Sequence, residues 1–513
     1  MSQYGLIRPT NEIALRPLRP RQEAAIAAIR LAIRSGKRKI ILMLPTGGGK
    51  TLIAAHIIAG AIEKGKKSMF TCPAINLVNQ TLRAFEAEGI RDIGVIQAQH
   101  ERTDWQAQTQ IASVQTLVRR PLPEVDLVII DEAHERHEKL EAIILSDAWR
   151  DKVVIGLSAT PWSKGLGLVW DELIVAATTQ QLIEEGWLTP FRIFAPSVMP
   201  DFRAMKIKAG EFEDKSTSAE MSKKTIIGDI VKEWQEKAHG LPTFLFCVDR
   251  AHAKIARDEF QQAGIGCGYM DGESTPDERR ETFKAYRSGE TPIIASVGTL
   301  ITGIDEDVRC IVDAQPTKSQ IRLVQKLGRG IRLADGKDSL IILDPAANCL
   351  RLGLITDIHH DTLDTRKPGE KGEAYADEPE PPKPRKCKEC RAIMPPSAKT
   401  CPNCGKVWFS TSAVQIQDGE LTEFIGGTKP KKEPKPKRDE KQDFYSGLLY
   451  IAQTRGFKDG WVAHKYRTKF GVWPVGLERV PKAPIKAVKE FDAEQTRLYR
   501  ESKKSAPQVE ATA

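Results

Sequence analysis

The segment Lys39–Ile62 narrows the possible folds more than any other part of the chain. Its apolar run leads into Leu44-Pro-Thr-Gly-Gly-Gly-Lys-Thr51, and a helix-forming stretch, Leu52–Ile62, follows at once. A strand that passes through three glycines into a helix aims the first N–H groups of that helix at one point, where they can wrap a phosphate. In a cradle made by Thr46, Gly47, Gly48, Gly49, Lys50 and Thr51, the Lys50 ammonium faces β- and γ-phosphates and the Thr51 hydroxyl can ligate Mg²⁺. Leu44 stands where the strict form of such a loop has glycine. An ordinary glycine-rich turn is the plain alternative, and the strand–loop–helix order argues against it.

About 80 residues later, Val128-Ile-Ile-Asp-Glu-Ala-His134 reads as an apolar strand ending in two carboxylates. A solvated acidic loop would not need a buried strand in front of it. Opposite a phosphate loop the pair has a chemical use: Asp131 can hold Mg²⁺ through water, and Glu132 can orient and deprotonate an attacking water.

From about residue 20 to 350, β-rich runs alternate with helical stretches. Strands are expected at Lys39–Leu44, Lys67–Cys72, Ile93–Gln97, Gln110–Ser113, Leu127–Asp131 and Val153–Leu157. A second series covers Thr243–Val248, Cys267–Met270, Ile293–Val297, Cys310–Asp313 and Ser339–Leu343. Helices are expected at Gln22–Ser35, Ile75–Glu88, Ala251–Gly264 and Thr275–Ser288. Apolar strands without in/out alternation, joined by helices, imply parallel sheets covered on both faces. Two series in tandem imply two α/β lobes with a junction near Gly186–Met199. A length of 513 residues supports that division, and 41% hydrophobic with 28% charged content allows cores throughout. The expected organisation is a first lobe over 1–185, a second over 190–355, a four-cysteine segment over 383–410, a Lys/Pro-rich linker over 411–441 and a small, basic, mostly helical domain over 442–500.

With these motifs in order, the chain resembles a superfamily 2 helicase of the DEAH-box-like kind over roughly residues 16–350. The resemblance implies two tandem RecA-like P-loop domains, with ATP as the nucleotide and a nucleic acid as the track. Leu18-Arg-Pro-Arg-Gln22 resembles the segment that reads adenine, with Gln22 as the base reader and Arg21 where an aromatic is usual. Thr71-Cys-Pro-Ala and Ala112-Ser-Val-Gln-Thr116 resemble strand-contacting motifs. Ser158-Ala-Thr160 matches the motif that couples hydrolysis to movement, and His134, Ser158, Thr160 and Gln325 are its expected coupling residues. Val297-Gly-Thr-Leu-Ile-Thr-Gly-Ile-Asp305 places Gly303 and Asp305 toward nucleotide and strand. Gln325-Lys-Leu-Gly-Arg-Gly-Ile-Arg332 supplies Arg329 and Arg332 as arginine fingers. The resemblance thus implies Lys50, Asp131, Glu132, Arg329 and Arg332 as the catalytic set, split between lobes so that the site is complete only when they close.

Nine cysteines fall into two groups. Cys72, Cys247, Cys267, Cys310 and Cys349 are scattered in apolar contexts and read as buried thiols. Cys387-x2-Cys390 and Cys401-x2-Cys404 form two knuckles ten residues apart, the spacing of a closed tetrahedral Zn²⁺ site with a structural role. Free thiols or a redox pair are the alternative, and the doubled spacing weighs against them. Whether such a ribbon touches nucleic acid or a protein partner is open from the sequence. A ribbon behind this motor makes RadD-like bacterial DNA-repair helicases and related phage helicases the nearest resemblance.

Residues 381–513 hold 27 of the 77 Lys and Arg but 15 of the 68 Asp and Glu, a balance of +12, while residues 1–380 stand at −3. A polyanion would find its partner surface in the last quarter; a solvated basic tail is the alternative. There Phe444–Pro474 interleaves Tyr445, Tyr450, Phe457, Trp461, Tyr466, Phe470 and Trp473 with Arg455, Lys458, His464, Lys465, Arg467 and Lys469. Most of these rings are expected to be the core of a small helical domain whose basic surface can bind. The stretch 365–386 is expected to be a linker, 429–441 to be extended and disordered, and the last dozen residues to be unstructured. No apolar run suits a signal peptide or a membrane span, and the thiol pattern fits the reducing cytoplasm of a bacterial or phage-infected cell. The sequence therefore points to a Mg²⁺/ATP-dependent DNA helicase or translocase. A duplex translocase that remodels branched DNA, an RNA helicase and a non-catalytic scaffold are its rivals.

Overall fold

The computed structural model describes residues 9–196, 199–301, 303–367, 370, 383–407, 438–457, 459–470 and 472–504. Thr302, most of the 365–386 linker, the 411–441 linker as far as residue 437 and the end of the tail lie outside these residues. The chain divides into two compact units, Met1–Ser412 and Ala413–Ala513.

The first unit contains two tandem RecA-like lobes. In lobe 1 the strands are β1 (Lys39–Met43), β2 (Ser68–Cys72), β3 (Ile93–Ile96), β4 (Thr109–Ser113), β5 (Leu127–Asp131), β6 (Val153–Ser158) and β7 (Glu172–Val175). They form one sheet in the order β3-β4-β2-β5-β6-β1-β7, parallel throughout. β2, β3 and β4 are buried along their whole length, as a sheet covered on both faces requires. The register sets Met43 against Ser158 and Asp131 against Leu157. The loops that follow β1, β5 and β6 therefore leave the sheet side by side at its carboxyl edge, where ligands of open α/β sheets bind.

Lobe 2 begins with β8 (Phe191–Phe194) and a small hairpin, β9 (Ile207–Lys208) and β10 (Glu211–Phe212). Its other strands are β11 (Thr243–Phe246), β12 (Cys267–Met270), β13 (Ile293–Ser296), β14 (Cys310–Asp313) and β15 (Leu340–Leu343). β16 (Arg385–Lys386) and β17 (Ala392–Met394) come from the four-cysteine segment. The sheet order is β12-β13-β11-β14-β15-β8-β17-β16. β17 runs antiparallel to β8, with Ala392 opposite Phe194 and Ile393 opposite Ile193. The cysteine segment is thus an edge of the lobe-2 sheet. Further ties are the Lys386 Nζ bond to the Pro196 carbonyl (2.8 Å), the Arg192 bond to Asn403 Oδ1 (3.1 Å) and an Arg391–Glu233 ion pair.

His252 sits fully buried on the helix Arg250–Gln262 and accepts the Val248 N–H at Nδ1 (3.2 Å). Burial holds its pKa at about 4, against 6.5 for a free imidazole. The folded state thus prefers the neutral ring, so stability is full above pH 6.5 and is lost as pH falls toward 4. Acidification from pH 7 to 5 is expected to cost about 2 kcal/mol through this group. Urea titrations at the two pH values measure it, and His252→Gln should remove that share; an unchanged difference in the variant would assign it elsewhere.

In the second unit the described helices are Arg438–Arg455, Asp459–Phe470 and Lys486–Lys504. The first starts inside the stretch expected to be extended. Asp439 and Glu440 in its first turn favour a helix start there. Phe444, Tyr445, Leu448, Val462, Tyr466 and Phe491 form its core.

Candidate nucleotide site between the lobes

The phosphate loop is shaped by what lies behind it. Gly49 caps the helix Lys50–Ile62 at φ +90°, and a Cβ there would run into the Gln22 amide. Gln22 is buried on the helix Pro20–Arg34; its Nε2 donates to the Gly48 carbonyl (2.8 Å) and its Oε1 accepts the Arg19 N–H (2.9 Å). Its amide is thus engaged in bracing the loop. Thr46, Gly47, Gly49, Lys50 and Thr51 line a cleft of about 450 Å³ together with Asp131 and Glu132 from lobe 1 and Gly303, Asp305, Arg329 and Arg332 from lobe 2. Gly328 lets the lobe-2 helix Gln320–Gly328 come close: a Cβ there would stand 3.1 Å from Thr46.

The charges are held away from water. Lys50 Nζ donates to the Leu44 carbonyl (3.2 Å), and burial pushes its pKa down against the pull of Glu132 and Asp131. Burial, then the neighbouring Glu132, pushes Asp131 up to about 7. Burial, then Arg332, lowers Arg329 to about 10. Arg332 pairs with Asp305, and the Nε atoms of Arg329 and Arg332 are buried without a partner among the described residues. Lys50, Arg329 and Arg332, crowded with Asp131 and Glu132 in one cleft, suit a polyphosphate with a divalent cation. The donor set fits Mg²⁺ in particular, since the Thr51 hydroxyl and the Asp131 carboxylate are hard oxygen ligands. Glu132 sits at φ +49°, a left-handed conformation in which a non-glycine residue is strained, and strain of this kind clusters at functional sites.

The four expected coupling residues meet. His134 Nδ1 lies 2.9 Å from Ser158 Oγ and 3.3 Å from Glu132 Oε2. Its Nε2 lies 2.6 Å from Gln325 Nε2, so this contact crosses from lobe 1 to lobe 2. A Gln325 N–H donating to Nε2 leaves the imidazole proton on Nδ1, facing Ser158 and Glu132. Burial lowers the His134 pKa, consistent with a neutral ring. Ser158 Oγ also accepts the Thr160 N–H (3.0 Å). Glu132 Oε2 itself makes no hydrogen bond among the described residues, nor do the buried hydroxyls of Thr71, Ser113 and Thr160 near the carboxyl ends of β2, β4 and β6.

Sequence reasoning missed part of the cleft. Arg21 lies away from it, paired with Glu185 (2.5 Å) at half-exposed positions. Arg19 is the residue that lines the cleft, its guanidinium 4.1 Å from the Trp187 ring centroid, with Arg16 and Glu88 alongside. Arg19 lay within the quoted motif, but Trp187 is distant in sequence and had no local signal.

Away from the cleft, the sulfurs of Cys387, Cys390, Cys401 and Cys404 all lie within 4.8 Å of one another. The Cys387–Cys404 and Cys390–Cys401 separations are 3.8 and 3.5 Å. Four thiolates about 2.3 Å from one Zn²⁺ would stand about 3.8 Å apart, so the cluster fits a tetrahedral Zn²⁺ site.

Comparison with known proteins agrees with this geometry. Residues 16–163 match the family model of the type III restriction enzyme res subunit, and residues 222–334 match the helicase conserved C-terminal domain. A 51.5 kDa protein of Lactococcus phage (isolate 7-9) is 27% identical over 71% of this chain and 77% of its own length. A Saccharomyces cerevisiae protein, IRC3, whose name describes it as an ATP-dependent helicase, is 30% identical over 64% of this chain, which spans only 51% of that protein. A solved fragment described as the HsdR subunit of a type I restriction enzyme from Vibrio vulnificus YJ016 shares the fold at a TM-score of 0.51, with 22% identity over 64% of each chain. Two RecA-like lobes carrying the res-subunit and helicase C-terminal domains around one nucleotide cleft place this chain in the superfamily 2 helicases, the ATP-dependent nucleic-acid motors.

Proposed function

We propose that this protein is a DNA helicase or translocase that couples ATP hydrolysis to movement along DNA. The observation that carries the reading is the contact from Gln325 through His134 to Ser158 and Glu132, which ties the hydrolytic carboxylate to the lobe interface. In this reading Lys50 binds the β- and γ-phosphates and Gln22 senses the base through the loop it braces. Glu132 orients the attacking water and takes its proton, and Arg329 and Arg332 offset the charge that develops on the γ-phosphate. Gly303 and Asp305 approach the nucleotide from lobe 2. Thr51 and Asp131 would hold Mg²⁺, which neutralises phosphate charge when bound. Hydrolysis loosens the lobe contact, and the lobes then reopen on the track.

DNA is favoured over RNA by the restriction-enzyme res-subunit match and by the basic last quarter of the chain. The order of motor, four-cysteine ribbon and basic helical domain supports a RadD-like role in repair, recombination or replication. The ribbon, holding Zn²⁺, is available to a protein partner or to DNA. Among the described residues no helix is long and apolar enough to cross a membrane. Five buried thiols and a four-thiol cluster that suits Zn²⁺ are the cysteine usage of a reducing compartment, which supports a cytoplasmic setting.

ATPase assays on single-stranded DNA, forks, blunt duplex and RNA test the proposal. Single-stranded or forked DNA should raise turnover at least tenfold, and Lys50→Ala should abolish it. Preference for RNA would make the chain an RNA helicase. Stimulation by blunt duplex alone would make it a duplex translocase, and stimulation by none of the four would remove the motor reading.

A further inference from the structure

We propose that the C-terminal unit carries a surface for single-stranded nucleic acid on the helix Asp459–Phe470 and its flanks, with bases stacking on Phe457 and Trp473 and phosphates on Lys465 and Arg467. The proposal rests on the motor reading for its biological setting but not for its geometry.

The aromatic residues of this unit divide into two sets. Phe444, Tyr445 and Tyr466 are buried and close the core. Phe457 and Trp473 are each 44% exposed, so the core does not account for them. Both belong to ordered stacks. Phe457 lies flat on Trp461, centroids 4.7 Å apart and planes 23° apart, and the Lys465 ammonium stands 5.7 Å from the Trp461 ring. Trp461 and Lys465 are four apart and share one stripe of the helix, and Phe457, just ahead of the helix, stacks on the first of them. Beside them the Arg467 guanidinium is 4.7 Å from the Trp473 ring, and His464 meets the same ring edge-on at 5.3 Å.

An apolar protein partner would call for bare rings, whereas here each stack ends in a cation. Residues 455–470 carry five Lys and Arg against one Asp. Planar faces for bases beside fixed positive charge for a backbone are the two requirements of sequence-tolerant single-strand binding. Duplex DNA hides its base faces and would leave the rings unused.

The test uses the full chain without nucleotide and reads fluorescence anisotropy of a labelled single-stranded DNA and of a single-stranded RNA of the same sequence, at several salt concentrations. Phe457→Ala with Trp473→Ala should weaken binding of either strand at least tenfold, since each stacked base is worth a factor of roughly 5 to 150. Lys465→Gln with Arg467→Gln should lower the slope of log affinity against log salt by about 1.4, two phosphates at about 0.7 each. Affinity for blunt duplex should not change in the aromatic variant. Basal ATP hydrolysis and the melting temperature should match wild type, because none of the four residues lies in the nucleotide cleft or the core. Trp473→Ala alone, at a partly exposed position outside the helices, serves if the double variant is unstable. Wild-type affinity and slope in all variants would overturn the proposal, as would an equal loss on duplex. Failure of the motor reading shows separately, as wild-type ATPase that nucleic acid does not stimulate.

Discussion

Glu132→Gln is expected to cut nucleic-acid-stimulated ATP turnover about 10²–10⁴-fold, the usual share of a general base, while leaving ATP affinity nearly unchanged. The amide keeps the shape and the strained backbone of the carboxylate but cannot take a proton. The role proposed for Glu132 draws on its surroundings: its Oε2 is buried without a hydrogen bond among the described residues, and His134 Nδ1 lies 3.3 Å from it. Lys50 and the two arginines, which would hold the phosphates, remain in the variant. Steady-state ATPase and titration with a fluorescent nucleotide measure the two quantities. Turnover within threefold of wild type would move the base elsewhere. Gln325→Ala makes a useful contrast. It removes the lobe-2 end of the contact to His134, so it should weaken the response to nucleic acid more than basal turnover.

What the sequence could and could not tell follows from the range of the interactions. The loop after β1 and the carboxylates after β5 are local events: an apolar strand, then glycines or acids. Both are readable from a dozen residues. The meeting of His134, Ser158 and Gln325 was expected from motif order, but the contact across 191 positions was not readable from spacing. β8 shows the opposite case. Phe191–Phe194 is only four residues, one of them Arg192, between Pro190 and Pro196 in the stretch read as the lobe junction. It is a strand because β15 on one side and β17 on the other supply its hydrogen-bonded partners, and no local pattern encodes partners that distant. The same holds for Trp187, which reaches the cleft from 168 positions beyond Arg19. In the C-terminal unit composition gave the right residue types, but only packing separates buried Tyr466 from exposed Trp473.

Removing metal from the four-cysteine cluster is expected to destabilise lobe 2, not merely a tail. The pairing of β17 with β8 makes the cluster part of the lobe-2 sheet, and Cys387, Cys401 and Met394 belong to the same buried core as Leu245 and Val312. Structural Zn²⁺ contributes on the order of 10 kcal/mol to the folding of small ribbons. If even a few kcal/mol of this reaches lobe 2, its melting temperature should fall by about 10 °C, at roughly 2–4 °C per kcal/mol for a domain of this size. Loss of the ribbon also bares the backbone edge of β8, whose Phe194 lies in that core, so aggregation should follow unfolding. Purified protein should carry one Zn²⁺ per chain by elemental analysis. A strong chelator, or Cys387→Ser with Cys401→Ser, should lower the melting temperature and reduce ATPase activity together, because lobe 2 supplies Arg329 and Arg332 to the cleft. A metal-free preparation with unchanged melting and full ATPase activity would show that the four thiols hold the sheet edge without an ion.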